Sequence, residues 1–211
     1  MGTEAAPRKR HFSMIRDFNV ADFFTLANGG SGTAAIFFAM DHVREGSIGK
    51  VYAAGALIVA ALFFDVMDGR VARWRHSASP LGRELDSLAD VISFGVAPAG
   101  LAFAAGMTGL GDALCLVYFV ACGISRLARY NVTAEALSAQ TGKVTYFEGT
   151  PIPTSVLLVA LLMGLARAGR IGDSMLGGLW TIASFDLHPL VLLFVLSGSL
   201  MISKTLRIPK P

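Results

Sequence analysis

The chain has 211 residues, of which 54% are hydrophobic and only 16% charged, and its mean hydropathy is +0.58. A soluble globular chain is about one-quarter charged, so this one lacks the polar residues to cover a water-facing exterior, and lipid is its expected solvent. Since a spanning helix takes about 20 residues, six spans would occupy most of the length, which excludes a separate soluble catalytic domain and leaves any chemistry to the helices and their short loops.

Residues 1–22 begin with a basic stretch (Arg8, Lys9, Arg10), after which Phe12, Ile15 and Phe18 recur every three residues among charges. That pattern predicts a short helix lying in the membrane interface. No apolar region with a small-residue cleavage site follows, so a signal peptide is not expected. Apolar runs then occupy 23–40, 51–64, 91–111, 113–130, 151–166 and 187–203. They predict an all-α integral membrane protein with six transmembrane helices. Residues 174–185 form an apolar, glycine-containing approach suited either to the interface or to the start of the sixth span. The zones are thus an interfacial segment (1–22), a six-helix membrane domain (23–203) and a basic tail (204–211). Cys115 and Cys122 lie within one apolar run and offer neither a disulfide framework nor a zinc site.

Six spans place both termini on one side, together with 14 of the 18 lysines and arginines. Basic residues in short loops face the cytoplasm, so both termini and the second and fourth loops are expected there. A cytoplasmic-membrane location follows, with no nucleic-acid partner.

The chemistry is concentrated between the second and third spans, where Asp65-Val-Met-Asp68-Gly69-Arg70-Val-Ala72-Arg73 is followed, eight residues on, by Gly82-Arg83-Glu84-Leu-Asp86-Ser-Leu-Ala-Asp90. Aspartates at the ends of membrane helices are costly unless they pair, so a cation partner is the default expectation. Asp65 and Asp68 are three apart, and Asp86 and Asp90 four apart. Each pair therefore falls on one helix face, and two antiparallel helices can aim all four carboxylates at one point. Oxygen-only ligands suit a hard divalent cation, Mg2+ or Mn2+, and two ions could share the set in an in-line displacement at phosphorus. Gly69 and Gly82 leave room for a diphosphate to approach, and Arg73 can hold phosphate in fork geometry. Arg70 and Arg75 read better as interfacial anchors.

The spacing D-x-x-D-G-x-x-A-R-x8-G-x3-D-x3-D, filled at Asp65, Asp68, Gly69, Ala72, Arg73, Gly82, Asp86 and Asp90, resembles the signature of the CDP-alcohol phosphotransferase family. The resemblance covers nearly the whole chain. It implies transfer of a phosphatidyl-type group from a CDP-linked lipid to an alcohol with release of CMP. Asp65, Asp68 and Asp86 would act as metal ligands, and Asp90 as a further ligand or as the base that takes the acceptor's proton. Gly69, Ala72, Arg73 and Gly82 would border the nucleotide. The family usually forms homodimers, and Gly30, Gly32, Ala34 and Ala35 on the first span permit close helix packing.

Three flanking segments, Ser87–Pro98, Arg126–Asn131 and Phe147–Pro153, resemble the family's serine-accepting branch, which includes archaeal members. The implied substrates are CDP-diacylglycerol or CDP-archaeol, and L-serine. Thr150 departs from the apolar residue that many members carry before this proline. Serine brings a carboxylate and an ammonium beside its hydroxyl. Arg126 and Arg129, three apart on one face, suit the carboxylate or a lipid phosphate, and equally suit a role as snorkelling anchors. Glu148 suits the ammonium or a solvated loop. Thr25 and Asn28 on the first span can reach the nucleotide or bind helices together, and Asp22 and Asp41 are expected to be solvated. The four histidines are expected to be structural or solvated. Glycerol phosphate and inositol phosphate remain alternative acceptors. A cation transporter using the aspartates as a relay is the rival from another class, though it leaves Gly69 and Arg73 without a task.

Overall fold

The computed structural model describes residues 19–75, 80–141, 146–182, 185–203, 205 and 207–209. The interfacial helix expected before residue 19 lies outside the described residues, as do His11, His76 and half of the basic tail. Helix α1 (Val20–Glu45) and helix α2 (Ile48–Arg75) form an antiparallel hairpin. The reversal is tight because Gly46 adopts φ 67° and its N–H closes on the His42 carbonyl at 2.8 Å, a left-handed helix end that glycine takes without a Cβ penalty. Beyond the apolar run that stops at residue 64, α2 continues to Arg75 and so carries Asp65 and Asp68 on regular helix.

Helix α3 (Pro80–Asp90) passes directly into a π-helical turn, Val91–Val96, and then into α4 (Ala97–Ala104). The Ala97 N–H reaches back five residues to the Ile92 carbonyl. The next residue, Pro98, has no N–H to offer the carbonyl four positions back, and the wider turn accommodates that missing donor. Helix α5 (Leu110–Thr141) follows, then strand β1 (Tyr146–Glu148), a 3-10 turn at Ile152–Ser155 and α6 (Val156–Arg167). The chain returns through a 3-10 turn at Gly172–Ser174, strands β2 (Trp180–Ile182) and β3 (Phe185–Leu187), a 3-10 turn at Pro189–Val191 and α7 (Leu192–Met201). Strand β4 (Arg207–Pro209) pairs antiparallel with β1, with Glu148 opposite Arg207.

Four of these rods are long and apolar enough to cross a membrane: Val20–Glu45, Ile48–Trp74, Leu81–Ala104 and Leu110–Val132. Two shorter apolar helices, Ile152–Arg167 and Pro189–Met201, complete the bundle. The protein is therefore an integral membrane protein with a helical bundle, to which two three-residue strand pairs are added. The approach to the last helix is where the structure departs most from the sequence reading. Part of it is the β2–β3 hairpin, and helix begins only at Pro189, a residue whose fixed φ and missing N–H suit the first helical position.

Small residues set the spacing of the core. Ala35, Ala39, Ala54, Ile58 and Ala61 are sealed between α1, α2 and their neighbours, and the Phe119 and Phe194 rings meet edge to face at 5.3 Å where α5 packs on α7. Outward, Phe37, Val117 and Leu157 are 63%, 65% and 73% exposed. Such an apolar exterior is what a lipid-facing surface requires.

Candidate active site

The last turns of α2 and the length of α3 bring three carboxylates together: one oxygen from each of Asp65, Asp68 and Asp86 lies within 4.8 Å of the others. The i,i+3 and i,i+4 spacings put the acids on the facing sides of the two helices, as their periodicity requires. Asp90, one turn further along α3, is buried and feels the charges of Asp65, Asp86 and Asp68, but it does not belong to the converging trio.

Helix α1 supplies the polar partners. Thr25 Oγ1 donates to Asp68 Oδ2 at 2.9 Å, and Asn28 Nδ2 donates to Asp90 Oδ1 at 3.2 Å. Ser93, in the π turn, donates from Oγ to the Asn28 carbonyl at 2.9 Å and so ties α1 to the turn that follows Asp90. This contact needs Gly32, since a Cβ there would stand 2.6 Å from the Ser93 Cα. Thr25 and Asn28 thus hold the aspartates themselves, an arrangement hidden from sequence because the partners are 43 and 62 residues away. Asp22 corrects an expectation: it is 3% exposed rather than solvated, and its Oδ2 accepts the Asn19 N–H at 2.7 Å to cap α1. Asp41 instead pairs with Arg44 and Lys50, both at 3.1 Å.

A cation fits the trio on chemical grounds. Asp86 Oδ1 is shielded from solvent and has no hydrogen-bond partner among the described residues, which a buried carboxylate oxygen rarely tolerates. Three acids within reach of one point repel one another, and among the described residues Thr25 is the side chain that donates to any of them. Hard oxygen ligands of this kind match Mg2+ or Mn2+. Beside them, Gly69 is half-buried, and a Cβ added there would meet only Arg73 Nη1, at 3.5 Å. The fold therefore does not require glycine at that position, and the space is open to a ligand. Arg73 and Arg70 are exposed, while Ala72 and Gly82 are half-buried.

Arg126, on α5, is 7% exposed, and its guanidinium lies 5.7 Å from the Tyr130 ring centroid. Its Nε has no hydrogen-bond partner among the described residues, and the charge of Asp90 reaches it. Arg129 is half-buried one turn further on. Glu148 sits in β1, and its side chain lies outside the described residues. The described histidines are structural: His42 Nδ1 lies 2.8 Å from the Ser47 carbonyl, and His188 pairs with Asp112. Sequence reasoning gave no role to Asp112, Ser93 or Ser155, the last being fully buried with an unpartnered hydroxyl.

Residues 18–200 match the family model described as CDP-alcohol phosphatidyltransferase. A Saccharomyces cerevisiae protein named CDP-diacylglycerol–serine O-phosphatidyltransferase is 44% identical over 206 residues, covering 96% of this chain and 75% of the yeast protein. Proteins of the same name from Mycobacterium leprae and Bacillus subtilis are 37% and 32% identical. Those matches cover 64% and 65% of this chain, and 43% and 71% of the respective relatives.

Proposed function

Since the chain belongs to the CDP-alcohol phosphatidyltransferase family, we propose that it transfers a phosphatidyl group from CDP-diacylglycerol to the hydroxyl of L-serine and releases CMP in phospholipid biosynthesis. The observation that carries this reading is the convergence of Asp65, Asp68 and Asp86 inside a match that extends over nearly the whole chain. The serine preference draws on the printed names of the relatives.

Asp65, Asp68 and Asp86 would hold the divalent cation, one ion or two. Bound there, Mg2+ or Mn2+ would neutralise charge on the diphosphate and favour departure of CMP. Gly69, Ala72, Arg73 and Gly82 border the nucleotide, with Gly69 giving the diphosphate room to approach. Asn28 occupies Oδ1 of Asp90, leaving Oδ2 as the oxygen that takes the proton of the acceptor hydroxyl. That hydroxyl oxygen bonds to the lipid-bearing phosphorus as the bond from the same phosphorus to the CMP oxygen breaks. Arg126 and Arg129 receive the serine carboxylate. The active site faces the cytoplasm, the side that carries most of the positive charge, and the two shorter apolar helices complete six spans.

The direct test incubates membranes containing the protein with CDP-diacylglycerol, Mg2+ or Mn2+, and serine, glycerol phosphate or inositol phosphate in turn, and measures CMP release. Serine is expected to stimulate release above the other two acceptors. No stimulation by serine would overturn the acceptor assignment, and ion flux without any nucleotide requirement would favour a transporter. Replacing the donor by CDP-archaeol tests the lipid class.

A further inference from the structure

The loop before α6 contains a polar atom that the fold leaves unused. Thr150 is half-buried, and its Oγ1 is shielded from solvent without a hydrogen-bond partner among the described residues. Its backbone is held firmly. The Thr150 N–H donates to the Leu200 carbonyl at 3.2 Å, and Gly149, at φ 73°, lies so close to the end of α7 that a Cβ there would stand 2.8 Å from the Met201 carbonyl carbon and closer still to its oxygen. Only glycine accepts both that dihedral and that contact.

Two independent contacts put Thr150 toward the end of α5 that carries Arg126. Two residues after Thr150, Ile152 packs over Gly123, where an added Cβ would stand 2.8 Å from Ile152 Cδ1. Arg126 lies one turn beyond Gly123 on the same face of α5 and toward the same end as Thr150. On the other side, Gly198 of α7 packs against Phe119 and Cys122 of α5. Both helices run toward this end, which brings Leu200, the anchor of the Thr150 N–H, close to the level of Arg126.

Resting on the serine reading above, we propose that Thr150 is a specificity-determining residue of the acceptor pocket, its Oγ1 accepting a hydrogen bond from the ammonium of the amino-acid acceptor while Arg126 meets the carboxylate. Arginine has only donors to offer, so the ammonium of a zwitterion bound beside it turns to acceptors elsewhere, and Thr150 Oγ1 is one that this chain presents where many members carry an apolar residue. A neutral hydroxyl supplies one without adding charge to a site that already holds four aspartates.

The test compares T150V, which keeps the shape and removes the hydroxyl, with T150S, which retains it. Steady-state CMP release is measured against serine and CDP-diacylglycerol concentration, and thermal unfolding in detergent controls for folding. A lost hydrogen bond to a charged group predicts that T150V raises the KM for serine about 10-fold or more, with kcat and the KM for CDP-diacylglycerol little changed. T150S should stay within about threefold of the parent, as expected when the hydrogen bond is kept. An unchanged serine KM in T150V, or equal losses in both variants, overturns the assignment of Thr150 alone. Absence of serine-stimulated CMP release in the parent protein overturns the underlying reading and this assignment with it.

Discussion

The two ends of the helical bundle each bury aspartate, and they treat it in opposite ways. At the end formed by the start of α5 and the β2–β3 hairpin, Asp112 is 0% exposed and accepts three hydrogen bonds: from the His188 N–H at 2.7 Å, in its contact with His188 Nδ1 at 2.7 Å, and from the Gly109 N–H at 3.2 Å. At the other end, Asp65, Asp68 and Asp86 converge with Asp90 one turn away, and among the described residues Thr25 and Asn28 are the side-chain donors, while Asp86 Oδ1 has none. A buried carboxylate whose lone pairs are filled by its own protein is a structural tie between elements distant in sequence. A group of carboxylates short of donors stays ionised only with a cation or another positive partner to answer it, which is the mark of a binding site. The same residue type thus reads as scaffold or as site according to the donors around it.

Substitutions can break this contrast, beginning at the acidic end. Asp90→Asn retains an oxygen for the Asn28 amide but cannot take a proton, and should lower kcat about 10²- to 10⁴-fold while leaving CDP-diacylglycerol binding nearly intact. Single-turnover CMP release together with equilibrium binding checks both parts, and near-normal turnover would remove Asp90 from the role of base. Asp112→Ala should show the opposite profile. It strands the donors of His188 and Gly109, should cost about 3 kcal/mol of stability seen as a lower unfolding midpoint in detergent, and should leave activity per folded molecule close to that of the parent.

Metal should sharpen the comparison further. A cation that binds only the folded acidic site stabilises the protein by about 2.7 kcal/mol at 100 times its Kd. Addition of Mn2+ should therefore raise the unfolding midpoint, chelation should reverse the gain, and Asp86→Asn should abolish it, whereas Asp112→Ala should retain it. The smallest effect on stability is expected at Gly69. Gly69→Ala meets only Arg73 Nη1 and should change stability by less than about 0.5 kcal/mol, yet raise the KM for CDP-diacylglycerol. Gly32→Ala, by contrast, collides with the Ser93 backbone and should cost about 1–3 kcal/mol by overpacking. Equal behaviour of the two glycine variants would contradict the view that one space serves the fold and the other a ligand.

Much of this was legible in the order of residues. The helix period alone predicted that Asp65 with Asp68, and Asp86 with Asp90, would share faces, and hydropathy alone placed the six apolar helices. The three-way convergence and the separate position of Asp90 were not legible, because they depend on the angle and depth at which α2 and α3 meet. Asp22 was misjudged for a related reason. A carboxylate near the end of an apolar run resembles a solvated one until the adjoining turn is seen to offer it a backbone N–H. The π turn at Val91–Val96 and the β2–β3 hairpin were equally invisible to apolar periodicity, which cannot distinguish a five-residue hydrogen bond from a four-residue one, or a short apolar strand from the start of a helix.

By itself the sequence determined the solvent of the protein, its helical architecture and the chemical identity of its acidic signature, because hydropathy, period and motif spacing are local properties that survive without a fold. The tertiary structure decided which polar groups find partners. Thr25 serves Asp68, Asn28 serves Asp90, His188 serves Asp112, while Asp86 Oδ1 and Thr150 Oγ1 are left unanswered. Hydrogen bonds act over about 3 Å, and only the packed chain brings residues 43 to 76 positions apart within that distance.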